Sequence, residues 1–328
     1  MILTLTLNPS LDRAVEVDDL VRGEVIRATG TRLDPGGKGV NVSRALLANG
    51  VPTVAVLPCG GDDGEQLVRL LAVEGVEVIT VAIAGRTRSN LTLAEPDGTV
   101  TKVNEPGPTL SVAEFEAITA RLLRTAERAD WVVVCGSLPP GLSLDAFGQL
   151  CRRLVDAGLR LAVDTSGPPL RTAAQAGAAL VKPNREELAE VVGRPLDTLD
   201  DVVDAAQQVR AWGAGTVLAS LGAQGAVLVD ADGVHTGDSR VEHPRSTVGA
   251  GDALLAGFLA AGAAGPDALA EGLAWGAAAV SLPGSRMPGP ADLRRDTVRL
   301  HPPVRRSPAP RAPEVSRHLG THTPVTYP

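Results

Sequence analysis

The sequence predicts an α/β fold with a doubly wound, mostly parallel sheet flanked by helices, and three observations predict it. Strand-like and helix-like segments alternate along most of the chain. WVVVCG (131–136) and LAVD (161–164) are continuous apolar runs, as expected of strands whose two faces are both covered. Two glycine-rich loops each lead directly into a helix-forming segment.

The elements follow in order. Residues 2–7 alternate β-formers and open a strand; 41–49 reads as a helix closed by Gly50. A short apolar strand over 53–57 is followed by a helix over 64–74. Helices near 111–128, 144–156, 185–192 and 200–212 separate the later strands. TVLASLG (216–222) and GAVLVDADG (225–233) form a strand pair, and helices over about 250–263 and 266–281 close the core. Two segments break the pattern. Residues 14–33 and 88–104 read as β pairs with no helix between them, and Pro96-Asp97-Gly98 marks a hairpin turn. Together they suit a small sheet standing off the main one as a lid over a domain of residues 1–300. Residues 301–328 hold seven prolines, the only tyrosine (Tyr327) and no apolar period, so a disordered tail is expected there.

Bulk chemistry excludes several functions. Lysine and arginine number 31 against 38 acidic residues, a formal charge of −7, which disfavours nucleic-acid binding. Three widely spaced cysteines (Cys59, Cys135, Cys151) make neither a disulfide framework nor a zinc site. All five histidines lie beyond residue 234 with no companion motif, which argues against zinc hydrolases and Ser-His-Asp chemistry. The opening MILTLTLNPSLDRAVEV has no basic region and no long apolar run, so a cytoplasmic protein that does not contact membrane is expected.

The sharpest chemical signal is Thr247-Val248-Gly249-Ala250-Gly251-Asp252, followed by the apolar helix ALLAGFLAAG. Small residues at a loop-to-helix junction let backbone N–H groups approach an anion, and the helix N-terminus adds partial positive charge. A carboxylate beside bound phosphate is a poor phosphate ligand, because like charges repel. It is well placed to take a proton from a hydroxyl attacking the γ-phosphorus. The alternative is an ordinary aspartate at a helix start. The loop is not a dinucleotide fingerprint, since Leu254 occupies the third glycine position. A second loop, Asp34 to Val42, offers glycines for close approach, Lys38 as a point charge and Asn41 for hydroxyls. It is not a Walker A loop, because Arg32 replaces the first glycine and Gly39 the Ser or Thr. Read alone it is a tight turn with a solvated lysine.

Six segments appear in one order: NPSLD (8–12), GGKGVNVSRAL (36–46), GSLPPG (136–141), KPNREEL (182–188), SLGAQGA (220–226) and STVGAGDALLAG (246–257). With them the chain resembles the PfkB, ribokinase-like carbohydrate kinases over residues 1 to about 290. Lys38 and the segment 85–108 make it most similar to the 1-phosphofructokinase branch. The resemblance implies ATP with Mg²⁺, a phosphorylated ketohexose such as fructose 1-phosphate, and a homodimer joined through the lid. Asp252 would be the general base, with the amides of Gly249, Ala250 and Gly251 as anion hole. Asp12, Gly37, Lys38, Asn41 and Ser137 would hold the sugar, and Arg88 with Asn90 its phosphate. Lys182, Asn184, Ser220, Gly222, Gly225, Thr247, Gly249 and Gly251 would line the nucleotide site. Asn184 and Glu187 would organise the metal through water. Without the resemblance, Asn184 and Glu187 read equally well as a helix cap. Tagatose-6-phosphate kinase and 6-phosphofructokinase are alternatives within the family. A non-catalytic sugar-phosphate sensor is the rival outside it, and would be expected to lack the base or the anion hole.

Overall fold

The computed structural model describes residues 1–302. The chain runs β1 (Ile2–Thr6), β2 (Ser10–Glu16), β3 (Gly30–Gly36), α1 (Lys38–Ala48), β4 (Thr53–Cys59), α2 (Gly61–Val73), β5 (Glu77–Ala82), β6 (Arg88–Ala94) and β7 (Val100–Val103). It continues α3 (Val112–Ala126), β8 (Trp131–Cys135), α4 (Leu144–Asp156), β9 (Leu161–Asp164), α5 (Pro168–Gln175), β10 (Leu180–Val181), α6 (Arg185–Val192) and α7 (Leu199–Ala211). The last elements are β11 (Thr216–Ser220), β12 (Ala226–Val229), β13 (Val234–Ser239), α8 (Ala250–Ala260), α9 (Gly265–Val280) and β14 (Val298–Leu300).

Ten strands form the main sheet in the order β14-β13-β12-β11-β10-β9-β8-β1-β4-β5. Pairing is parallel from β11 through to β5 and antiparallel from β11 out to β14. The continuous apolar runs have the expected cause. On β8, Val132 and Val134 pack into one core layer while Trp131, Val133 and Cys135 pack into the other. Helices α8 and α9 supply the second layer, with Leu255, Phe258 and Leu269 fully buried there. The order reverses around β1, which lies between β4 and β8, so a crevice opens at the carboxyl end of β1.

The expected lid is present as a separate four-stranded sheet, β3-β2-β6-β7. Its boundaries differ from the sequence reading. The first β pair lies at the ends of the segment, as β2 and β3, and residues 17–28 between them carry no strand. Asp34 to Gly36 therefore belong to β3, and α1 starts at Lys38 rather than at 41. Gly37 makes this corner at φ +117, a conformation that side chains disfavour. Strands β5, β10, β13 and β14 and helix α5 escaped the sequence reading. Helix α5 begins Pro168-Pro169, which reads as a turn but suits a first helical turn. The β13–β14 ladder continues to His301, whose N–H donates to the Thr236 carbonyl at 2.9 Å. The rest of the expected tail, 303–328, lies outside the described residues. No described helix is long and apolar enough to cross a membrane.

Candidate active site

The crevice at the carboxyl ends of β1, β8 and β9 is roofed by the lid and forms a cleft of about 480 Å³. Period-2 alternation aims one face of the lid into it: Asp12 from β2, Arg88 and Asn90 from β6, Arg32 from β3. Register aligns these side chains in rows, with Ser10 opposite Arg88 and Asp12 opposite Asn90.

Asp252 lies in the first turn of α8 and is 7% exposed. Gly249, at φ +77, turns the chain into that helix. A Cβ there would sit 2.5 Å from Met287 Cε. The left-handed backbone is what favours glycine there, since the Met287 methyl could shift to admit a side chain. Asn41 Nδ2 donates to Asp252 Oδ2 at 2.9 Å. Burial, and next the negative charge of Asp164, push the Asp252 carboxyl up to about 6; Asn41, Lys38 and Lys182 restrain the rise. A carboxylate in that range is matched to proton abstraction near neutral pH.

Read alone, the glycine-rich loop leaves Lys38 as a solvated point charge. The structure corrects this. Lys38 Nζ lies 2.7 Å from Asp164 Oδ1 and 3.1 Å from Glu187 Oε1. Burial alone would lower its pKa, but Asp164 and Glu187 outweigh burial and hold the ammonium firmly charged. Lys182, with its side chain 4% exposed, approaches the other oxygen of Asp164 at 3.1 Å. Asp164 itself is fully buried; burial would raise its pKa, and Lys182 and Lys38 together bring it below the usual carboxylate range. Two ammonium groups and two carboxylates thus neutralise one another at the base of the cleft.

Several other expected residues converge. Asp12, Gly37, Lys38, Asn41, Arg88, Asn90, Ser137, Glu187, Gly249 and Asp252 all line the cleft. Asp12 accepts from Ser10 Oγ at 2.7 Å and from Asn90 Nδ2 at 2.9 Å. Arg88 donates to the carbonyls of Asn8 and Glu105, and its burial lowers its pKa despite the nearby carboxylates of Asp12 and Glu105. The nucleotide set behaves differently. Lys182, Asn184, Ser220, Gly222, Gly225, Thr247, Ala250 and Gly251 are not among the cleft-lining residues. Asn184 and Glu187 form a complete capping box on α6, so the cap reading holds, while Glu187 also reaches Lys38. Ser220 sits beside Asn184 in a parallel bridge. A Cβ on Gly225 would lie 2.0 Å from the Gly237 carbonyl, so close packing against β13 requires that glycine. Gly251 leaves room for Lys182, whose Nζ would be 3.3 Å from an added Cβ.

Sequence reasoning missed Asp164, although it ends the apolar run LAVD at the carboxyl end of β9, where open α/β sheets place ligand-facing groups. It also missed Thr6, Asn8 and Ser285. Each has a buried side-chain oxygen without a hydrogen-bond partner, as does Asn90, and all four line the cleft. Buried polar atoms left unpaired are costly, so such a concentration marks where a ligand's hydroxyls belong.

Known proteins show the same arrangement of sequence and fold. The model of the pfkB family of carbohydrate kinases matches residues 5–292. The 1-phosphofructokinase of Rhodobacter capsulatus is 37% identical over 315 residues, which is 92% of this chain and 99% of that protein. ATP-dependent 6-phosphofructokinase isozyme 2 of Escherichia coli is 39% identical over 292 residues, covering 87% and 94%. The crystal structure of phosphofructokinase-2 from Escherichia coli in complex with substrates and products superposes with a TM-score of 0.84 at 38% identity, over 89% of this chain and 96% of the other. A match over residues 5–292, joined to a buried aspartate at a glycine-turned helix start, places this protein in the pfkB family of carbohydrate kinases, which transfer a phosphoryl group to a sugar hydroxyl.

Proposed function

We propose that this kinase phosphorylates fructose 1-phosphate at O6 with ATP, giving fructose 1,6-bisphosphate, with Asp252 as general base. The observation that carries the chemistry is the buried Asp252 facing a cleft whose walls hold four unpaired polar oxygens. The sugar lies under the lid, its hydroxyls near Asp12, Asn41 and Ser137. Its phosphate pairs with Arg88, which suits a bidentate phosphate contact. Lys38 is already paired with Asp164 and Glu187, so Arg88 takes this task without it.

In the reaction, O6 attacks the γ-phosphorus in line as its proton passes to the Asp252 carboxylate. The new O6–P bond forms while the bond to ADP breaks. The amides at the start of α8, from Gly249 to Asp252, face the developing charge. ATP extends from there along the turn at 220–225, with Asn184, Ser220 and Thr247 beside it. Mg²⁺ would take the nucleotide phosphates and its own water as main ligands here, since the described residues contain no cluster of three or more metal-ligating His, Cys, Asp or Glu side chains. Glu187 and Asn184 would hold it through water, and it would supply charge neutralisation between the phosphates. Lid closure excludes water and so limits ATP hydrolysis.

Choice of the 1-phosphate rests on similarity to 1-phosphofructokinase across nearly all of both chains. A second reading, 6-phosphofructokinase, has its own support in the 39% identity to the Escherichia coli isozyme. ATP-dependent turnover of fructose 1-phosphate, fructose 6-phosphate, tagatose 6-phosphate and fructose decides between them. The highest kcat/KM is expected for fructose 1-phosphate, and a preference for free fructose over every phosphosugar would overturn both readings. A homodimer through the lid is part of the same proposal. Strand alternation places Leu33, Leu91, Leu93 and Val103 on the lid face turned away from the cleft, leaving an apolar surface suited to a second copy. Light scattering on the purified chain should return twice the monomer mass.

A further inference from the structure

Arg44 has no role in the reaction as described, yet it is only 7% exposed, and its partners are Asn41, the Ser285 carbonyl and Glu74 at the end of α2. It lies one turn beyond Asn41 on α1. Its Nη1 donates to Asn41 Oδ1 at 3.3 Å and to the Ser285 carbonyl at 3.0 Å. Its Nε and Nη2 grip both oxygens of Glu74, at 2.6 and 2.8 Å. The fork is therefore held at one side by a bidentate carboxylate and aimed at the site by the other.

The consequence falls on Asn41. Its amide has two ends with opposite chemistry, and exchanging them costs nothing sterically. Asp252 needs the N–H end, because a carbonyl oxygen facing a carboxylate repels it. Within the Asp252–Asn41 pair only that repulsion and the single Nδ2 bond oppose rotation of the amide. A guanidinium on the far side adds a second lock, since it can meet only the oxygen end. The same nitrogen holds the Ser285 carbonyl, and that short segment also carries Met287, which packs against Gly249.

We propose that Arg44 is a positioning residue for phosphoryl transfer. It fixes the Asn41 amide so that Nδ2 meets Asp252, and it anchors the 285–287 segment behind the Gly249 turn. The inference rests on Asp252 being the base. Lysine cannot replace Arg44, because one ammonium cannot span Glu74, Asn41 and the Ser285 carbonyl.

A double-mutant cycle tests it. Arg44→Met keeps much of the volume and should lower kcat roughly 10-fold, with KM for ATP changed by less than about 2-fold. Arg44→Lys should not restore kcat. In an Asn41→Ala background, Arg44→Met should cost less than about half of its effect in the wild type, on a logarithmic scale. Glu74→Gln keeps the arginine but loosens its anchor. It should show a smaller kcat loss with the same dependence on Asn41, and it carries the test if Arg44→Met does not fold. Losses that multiply fully in the Asn41→Ala background, or an unchanged kcat in folded Arg44→Met, overturn the proposal. Asp252→Asn assayed alongside separates the two ideas: if that variant keeps full kcat, the base assignment has failed rather than the positioning role.

Discussion

The cleft has two walls, and they are built on different principles. The core wall rises from β1, β8 and β9, every residue of which is buried. Its ionic side chains are each committed to a partner: Asp252 to Asn41, Asp164 to Lys38 and Lys182. The lid wall has no residue of β6 fully buried, and most of β7 is exposed. Groups that move a proton need a fixed geometry and little water around them. Groups that select a substrate can sit on a sheet that opens and closes. Changes in the core wall should therefore fall on stability and kcat, and changes in the lid wall on KM.

The largest effect is expected where the core wall is most constrained. Asp164→Ala leaves Lys182 buried without its partner, and removing one member of a buried ion pair costs about 3–5 kcal/mol. Urea unfolding followed by circular dichroism reads this directly. A loss under about 1 kcal/mol would show that the lysines find other partners or simply discharge. Next comes Asp252→Asn, which should lower kcat by roughly 10²-fold or more with little change in KM for ATP. Near-full kcat in that variant would remove Asp252 from the mechanism.

On the other wall, Arg88→Ala should raise KM for the phosphosugar roughly 10-fold while KM for ATP stays within about 2-fold. An equal fall in kcat for this variant would erase the distinction between the walls. The smallest effect concerns pH. Asp252 works as a base only when ionised, so kcat/KM should fall as pH drops through the region of its raised pKa, about 6. Asn41 donates to the carboxylate and favours the ionised form. Asn41→Ala should therefore move this acid limb to higher pH, by roughly half a unit. The second ionisation of a phosphate ester also lies near pH 6 but is common to both enzymes. Limbs that coincide would show that another group titrates there.

How much could be read in advance follows the same division. The parallel sheet was legible because burial on both faces writes continuous apolar runs such as WVVVC and LAVD into the chain. The lid was legible as two β pairs, although its first pair was placed too far inward. Residues 17–28 look no less strand-like than their neighbours, and only pairing with β6 decides that Ser10–Glu16 is the strand. Strand β10 has two residues and strand β14 three, too short for any period to show.

By itself the sequence determined the layered fold, the glycine turn ahead of Asp252 and the family's ordered motifs, because each depends on residues near one another in the chain. Only the tertiary structure decided the electrostatics. Lys38 meets Asp164 and Glu187 across 126 and 149 residues, and Arg44 meets Ser285 across 241. No local pattern encodes such partners. Charges seek whichever opposite charge the crossovers bring within a few ångströms, and a lysine that reads as free in the chain becomes neutralised once the sheet is assembled.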